Sequence, residues 1–197
     1  MVVYTLYVKA DLEGVASLGL VDNANVCVSV RNPLDPTQTR EKIVVDPTEL
    51  ESPALNGHDK HRSTAHAAFH LAIKWDATHD GDHRATLRLL TAKDHHLDNK
   101  KEKGSKGHRH ELEQAVAKLR DNMTHADSGQ FVPMLVLDCD GLEPFEFHAL
   151  GDEFQLVSQH GDPTKPARVV DLSSGDWSDY DLASGSISVM NLETKLE

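Results

Sequence analysis

Cysteine is scarce in this sequence. Only Cys27 and Cys139 occur among 197 residues, and they lie far apart along the chain. Small secreted domains are commonly held together by several disulfides, and two distant cysteines do not resemble such a framework. We therefore expect both cysteines to be free thiols.

Long apolar runs and basic residues are also lacking. No run approaches the roughly 20 apolar residues of a membrane span, and the apolar N-terminal stretch meets Lys9 and Asp11 too early for a signal peptide. Lys plus Arg number 20 against 32 Asp plus Glu, which gives a net charge of −12. Because phosphate binding depends on basic residues, we expect neither nucleic acid nor a membrane as partner. The predicted location is the cytoplasm, with the nucleus as alternative.

Complete catalytic motifs are absent as well. The sequence contains no Gly-x-Ser-x-Gly, P-loop, Rossmann glycine pattern or His-Glu-x-x-His. Each histidine has carboxylates nearby in sequence, but an acidic chain supplies these everywhere. We therefore predict that the protein is not an enzyme and carries no cofactor.

Alternating apolar residues dominate what is present. At the start of the chain, Val2, Tyr4, Leu6 and Val8 would share one face of a strand. Eight to ten short strands are indicated in all, which favours a mostly β, β-sandwich-like fold. The further predicted strands are 26–30, 42–46, 69–75, 85–89, 131–137, 145–147, 154–157, 168–172 and 187–190.

One helix interrupts this pattern. Apolar residues at helical spacing predict it over about 109–123, from Leu112 to Met123. The preceding residues 99–107 are polar, basic and punctuated by glycine, which is typical of a mobile loop. We predict a single compact unit over 1–197. Its parts are a first β-rich half (1–90), an insertion with the basic loop and helix (91–129) and a second β-rich half (130–197).

Three segments carry a family resemblance: Leu6–Glu13 (LYVKADLE), Cys139–Phe147 (CDGLEPFEF) and Asp171–Asp181 (DLSSGDWSDYD). Their order and spacing resemble the eukaryotic CXXC-motif-containing zinc-binding proteins, a family largely of unknown function. The resemblance implies two pseudo-symmetric β-rich halves, with zinc held by four cysteines from two Cys-x-x-Cys knuckles in the first half. A weak internal repeat agrees with two halves: 8–13 matches 137–143 if Gly141 is treated as an insertion.

The sequence departs from this family at the metal site. The knuckles should lie at 30–35 and 73–78, and neither segment contains a cysteine. Four thiolate ligands are therefore impossible. We expect Pro33 and Pro36 to stiffen the first segment and Trp75 to add apolar packing near the second. The main hypothesis is a non-enzymatic interaction or adaptor protein with a degenerate zinc site.

Histidine is in excess, and this suggests a different hypothesis. Ten of the 13 histidines lie between His58 and His110. His79 and His83, with Asp82, flank the predicted turn after strand 69–75, so they could bind a metal such as zinc in place of the lost thiolates. However, this pair spans a turn and does not share a helical face, which favours solvated surface histidines.

The segment around Trp177 gives the candidates for partner binding. Trp177, Tyr180 and Asp181 lie in an acidic stretch that could dock a basic segment of a protein partner. The alternative is that both rings are buried and hold a loop across the sheet. We expect the protein itself to be a monomer.

Overall fold

A computed structural model describes residues 1–51, 68–75, 84–94, 106–159, 166–181 and 185–197, without the side chains of Lys106 and Asp181. Within these residues the chain forms thirteen strands and one α-helix, which confirms the predicted mostly β fold. The elements are β1 (Val2–Glu13), β2 (Val15–Leu20), β3 (Val26–Asn32), β4 (Asp35–Val45), β5 (Leu71–Ile73), β6 (Ala85–Leu90), α1 (Lys106–Lys118), β7 (Asn122–Thr124), β8 (Val132–Asp140), β9 (Glu143–His148), β10 (Phe154–Ser158), β11 (Arg168–Val170), β12 (Trp177–Asp181) and β13 (Gly185–Leu196).

The largest sheet is antiparallel and has the strand order β12-β13-β1-β8-β6-β5. Its two central strands, β1 and β8, pair along most of their length. Alternation places Leu6, Val8, Ala10 and Leu12 of β1 on one face, where all four are buried. The pattern that predicted this strand therefore also identifies its core face.

Two smaller sheets cover that face. Their strand orders are β11-β10-β2-β7 and β4-β3-β9. One hydrophobic cluster joins all three sheets and contains Leu6 and Leu137 of the large sheet, Phe154 of the second and Val28 and Phe147 of the third. The arrangement is sandwich-like, with the main core between the layers.

The strand order repeats between the two halves of the chain. In the large sheet, β1, β13 and β12 on one side correspond to β8, β6 and β5 on the other. In the smaller sheets, β11-β10-β2 corresponds to β4-β3-β9, while β7 has no counterpart among the described strands. Each half therefore contributes strands to sheets of the other.

The turn glycines correct the register of the internal repeat. Gly14 ends β1 with φ 65°, and Gly141 follows β8 with φ 69°. A positive φ favours glycine at both places. Aligning these glycines pairs Leu12 with Cys139 and buried Val15 with buried Leu142, and it needs no inserted residue. The predicted alignment, which treated Gly141 as an insertion, was therefore wrong by two positions before the turn and by three positions after it.

The helix differs from its predicted bounds. It begins at Lys106 and ends at Lys118, and Asn122–Thr124 is instead strand β7, which pairs with β2. Leu112 and Val116 of the helix join a second cluster with Val136, on the opposite face of the large sheet. Met123, placed on the helical stripe by its spacing, is fully buried in the main core. The prediction of helix up to 123 was therefore wrong.

Two strand predictions also needed correction. The strand predicted at 42–46 begins at Asp35, so β4 includes Pro36. The strand predicted at 69–75 is shorter, since β5 spans Leu71–Ile73 and Phe69 makes an isolated bridge to Glu51. The turn 79–83 and most of the basic loop, up to residue 105, lie outside the described residues. No helix in the described part of the chain is long and apolar enough to cross a membrane.

Candidate functional site

A closed polar turn occupies the place of the first expected cysteine knuckle. Asn32 and Asp35 are register partners across β3 and β4, so two residues, Pro33 and Leu34, form the loop. The Asn32 side chain accepts a hydrogen bond from the Leu34 N–H at 3.0 Å and donates to the side chain of Gln38 at 3.1 Å. Gln38 in turn donates to Asp35 at 3.1 Å. Side-chain amides and a carboxylate thus hold the turn that thiolates would otherwise organise.

Trp75 lies in the segment where the second cysteine knuckle is expected. Its indole Nε1 donates a 2.8 Å hydrogen bond to the Gly141 carbonyl, which ties the end of β5 to the turn between β8 and β9. The ring is partly buried against the main core. The guanidinium of Arg40, on β4, lies 5.8 Å from the ring centre, within cation–π range. The ring therefore links the end of β5 to β4 and to the turn between β8 and β9, near the segment where the resemblance implies a second cysteine pair.

An ion pair lies between the turn at 32–35 and Trp75. Arg31, at the end of β3, binds Glu143 at the start of β9, and its guanidinium lies 5.9 Å from the centre of the Phe145 ring. The hydrogen bond from Arg31 lowers the pKa of Glu143. Burial, and then the nearby Glu143 carboxylate, raise the pKa of the Tyr4 phenol. No local sequence pattern pairs Arg31 with Glu143, which lie 112 residues apart, so sequence reasoning missed this ion pair.

The residues present do not fit a thiolate zinc site. Both cysteines are free and buried, as predicted for the thiols. Cys27 lies on β3 opposite Val44, while Cys139 lies on β8 in another sheet, opposite Leu87. Burial raises the pKa of both thiols. Because only the deprotonated thiolate form of cysteine binds a metal, neither Cys27 nor Cys139 is suited to bind zinc.

The described residues contain no group of three or more His, Cys, Asp or Glu side chains arranged to hold a metal ion. The alternative ligands His79, His83 and Asp82 lie outside the described residues. Of the histidines near them in sequence, His70 is described. Its Nδ1 accepts the Leu89 N–H at 2.9 Å, and burial lowers its pKa.

The partner-binding candidates lie on β12, the edge strand of the large sheet. Trp177 is the register partner of buried Val189 and packs against the main core. The Arg168 guanidinium, from β11, lies 5.1 Å from the centre of the Trp177 ring and also binds Asp179. This hydrogen bond lowers the pKa of Asp179. Trp177 therefore mainly connects two sheets at their edges.

Tyr180 lies on the other face of β12 and is 70% exposed. Its backbone N–H donates to the Asp179 carboxylate at 2.8 Å, which fixes the local chain. Asp181 pairs with Gly185 through its backbone. Sequence reasoning grouped Trp177 and Tyr180, but alternation along β12 separates them onto opposite faces. It also missed Arg168, because no local sequence signal pairs β11 with β12.

Comparisons with known proteins agree with this geometry. A family model described as "CXXC motif containing zinc binding protein, eukaryotic" matches residues 5–197. A hypothetical protein from Plasmodium falciparum superposes with a TM-score of 0.70 at 16% identity, covering 100% of both chains. The protein C1orf123 superposes with a TM-score of 0.68 at 14% identity, covering 100% of this chain and 99% of its own. At these identities the two structures show a common fold. No curated protein sequence matches the chain.

Proposed function

We propose that this chain, which belongs to the eukaryotic family of CXXC-motif-containing zinc-binding proteins, is a non-enzymatic interaction protein. In this proposal the chain has lost the family's zinc site and keeps the fold as a scaffold for a protein partner. It acts as a monomer and docks a basic segment of that partner at β12.

The exposed ring of Tyr180 carries the proposal. A tyrosine that is 70% exposed on an edge strand adds little to the core. Tyrosine is among the residues that dominate the energetics of protein interfaces, because a rigid ring buries much area at small entropic cost. Asp176 precedes β12 and adds a carboxylate at the start of this strand, whereas Asp179 lies on the Trp177 face and is paired with Arg168. An exposed ring on an edge strand of an acidic chain suits a partner with basic and apolar residues.

The buried thiols support the non-enzymatic part of the proposal. Cys27 and Cys139 are inaccessible and have raised pKa values, so they do not supply a nucleophilic thiolate. They also support the cytoplasmic location that we propose, since free thiols persist in a reducing compartment.

A crosslinking experiment tests the docking site. A photoreactive aromatic residue replaces Tyr180 in one variant and Leu34, which is 94% exposed on the turn between β3 and β4, in a control variant. We expect position 180 to crosslink one partner that position 34 does not. The partner, identified by mass spectrometry, is then purified for affinity measurements.

The affinity comparison decides the proposal. Tyr180→Ala should raise the Kd for the partner at least about tenfold. Truncating an interface hot spot typically costs more than about 1.4 kcal/mol of binding free energy, which corresponds to a tenfold change in Kd. Leu34→Ala should leave the Kd unchanged. Equal affinities of the wild type and Tyr180→Ala would refute docking at this ring, and identical crosslinks from both positions would refute a specific site on β12.

A further inference from the structure

The imidazole of His70 takes the place of a backbone carbonyl where the pairing of β5 with β6 ends. Beyond the last register pair of these strands, the Leu89 N–H donates to Nδ1 of His70 at 2.9 Å. The carbonyl of Phe69 is turned towards Glu51, whose N–H it accepts at 2.8 Å. Because Phe69 pairs with Glu51, the side chain of His70 supplies the acceptor for Leu89.

The other ring nitrogen holds a second segment. A hydrogen bond joins the His70 ring to the backbone of Pro47. Since proline has no N–H, its carbonyl accepts and the ring donates. Nδ1 already accepts, so the proton of the neutral ring lies on Nε2. One neutral tautomer therefore uses both nitrogens and joins residues 46–51 to β6.

These contacts form one wall of a cavity of about 300 Å³ where the three sheets meet. Pro47, Leu50 and His70 belong to this wall. The rest of the lining is largely apolar and includes Leu135 of β8 and Phe147 of β9. Moving the wall away from β6 would therefore expose apolar side chains to water.

Charged groups from three places act on the His70 ring. Burial lowers the pKa of His70 below its ordinary value of 6.5, and the nearby Arg88 guanidinium of β6 lowers it further. Asp94, which follows β6, and Asp46, which follows β4, raise this pKa, as does the hydrogen bond to Pro47. The net shift of the pKa is downward, so the ring is neutral at pH 7.

The other charged side chains of the lining are engaged with partners of their own. Lys93 binds Asp22. One carboxylate oxygen of Glu153 accepts the backbone N–H groups of residues 150–152. Among the described residues, neither Lys93 nor Glu153 is bonded to the His70 ring.

We propose that His70 is an acid-sensitive latch: when its Nδ1 takes up a proton, residues 46–51 and 68–70 detach from β6 and the cavity opens. A protonated ring carries N–H donors at both nitrogens. The new donor faces the Leu89 N–H, and two donors cannot bond each other. The imidazolium also lies close to the cationic Arg88, which opposes its charge in the closed state. The latch does not involve β12, so this inference is independent of the proposed partner surface.

The direction of the pH dependence follows from proton linkage. In the open state the pKa of the exposed His70 ring returns to about 6.5, whereas in the closed state the pKa is lower. The open state therefore binds more protons as the pH falls through 6.5. Its equilibrium constant should rise in the same range, by at most about tenfold for each pH unit.

Amide hydrogen exchange in the full-length protein tests the latch. The reporters are the amides of Leu89 and Glu51, and protection factors are corrected for the intrinsic effect of pH on exchange. We expect both factors to fall by about threefold to tenfold between pH 7.5 and 5.5, while those of central amides in β1 and β8 stay constant. NMR spectra of the ring nitrogens should show His70 protonated at Nε2 alone at pH 7.5.

Two variants assign the effect to this ring. His70→Asn places the side-chain oxygen near the position of Nδ1, where it accepts the Leu89 N–H and does not titrate. Protection of Leu89 should then be independent of pH between 7.5 and 5.5. His148→Gln is the control, because it replaces another half-buried histidine, whose Nε2 lies 2.7 Å from Ser29 Oγ on β3. It should leave the pH dependence of Leu89 as in the wild type.

Several outcomes would overturn the proposal. Constant protection of Leu89 in the wild type would mean that no latch opens. The same fall in His70→Asn would assign the pH dependence to another group. An equal fall in β1 and β8 would show global unfolding in place of local opening. A proton on Nδ1 at pH 7.5 would remove the acceptor on which the latch depends. Should His70→Asn fail to fold, hydrogen exchange and the ring spectra of the wild type decide alone.

Discussion

Trp75→Ala tests whether packing has replaced metal in holding this fold together. The side chain contributes three interactions: partial burial of the ring, the hydrogen bond to the Gly141 carbonyl and the contact with Arg40. A fully buried tryptophan costs about 3–5 kcal/mol when truncated to alanine. The Trp75 ring is only partly buried, so we reduce this cost to roughly 1.5 kcal/mol. The hydrogen bond adds about 1 kcal/mol and an exposed cation–π contact about 0.5 kcal/mol.

The total of about 3 kcal/mol is measurable by thermal unfolding. For a domain of this size, 1 kcal/mol shifts the Tm by roughly 2–4 °C, so we expect a fall of about 6–12 °C. Trp75→Phe keeps a ring but loses the indole N–H, and it should cost about 1 kcal/mol. Tyr180→Ala is the matched control, because that ring is largely exposed and its loss should cost less than about 0.5 kcal/mol.

Chelation completes the assay. In small thiolate-zinc domains the metal supplies on the order of 10 kcal/mol of folding energy, and chelators unfold them. This chain lacks the four thiolates, so EDTA should leave the Tm unchanged. A Tm of Trp75→Ala equal to that of the Tyr180 control would refute the packing argument. A fall in Tm with EDTA that zinc reverses would instead identify His79, His83 and Asp82 as ligands to mutate first.

Two further predictions concern Asp127 and the cysteines. The hydrogen bonds from Arg120 lower the pKa of Asp127 from 3.8 to about 2, so its stabilising contribution is present above about pH 4 and is lost as the pH falls towards 2. Asp127→Asn should lower the unfolding free energy at pH 7 by about 1–2 kcal/mol. In urea titrations the unfolding free energy of this variant should also decline less steeply below pH 4 than that of the wild type. An equally steep decline in both proteins would contradict the role of the Arg120–Asp127 ion pair. The thiols of Cys27 and Cys139 should react with a thiol reagent slowly in the native protein and rapidly after denaturation. An intact mass that rises by two hydrogen atoms on reduction would show a disulfide and contradict this prediction.

Apolar alternation made most of the β structure predictable from the sequence, but three kinds of element were misjudged. Pro36 argued against a strand, yet β4 is an edge strand, where a missing N–H costs little. Met123 follows the last apolar residue of α1 at helical spacing, so it fitted the helical pattern. The same residue is buried because it lies on strand β7, and the spacing alone does not separate the two cases. The short strand β12 was missed, since its alternating Ser and Asp residues give no apolar signal.

The candidate sites were less predictable than the fold. The sequence identified Trp177 and Tyr180 as notable, but only the register with β13 shows that one ring is inward and the other outward. The ion pair of Arg31 and Glu143 was not predictable from any local pattern, because the two residues lie 112 positions apart and meet only through the register of β3 with β9.

The place of β13 in the large sheet affects how the chain folds during synthesis. β1 lies between β8 and β13, and residues at the two ends of the chain pair, with Thr5 and Glu197 exchanging backbone hydrogen bonds at 2.7 and 3.1 Å. A ribosome releases β1 first and β13 last. Until residue 196 has emerged, one side of β1 remains an unpaired strand edge, which is a template for pairing with other nascent chains. Between release of β8 and arrival of β13, β1 is therefore paired on one side only, and its free edge must be kept from other nascent chains.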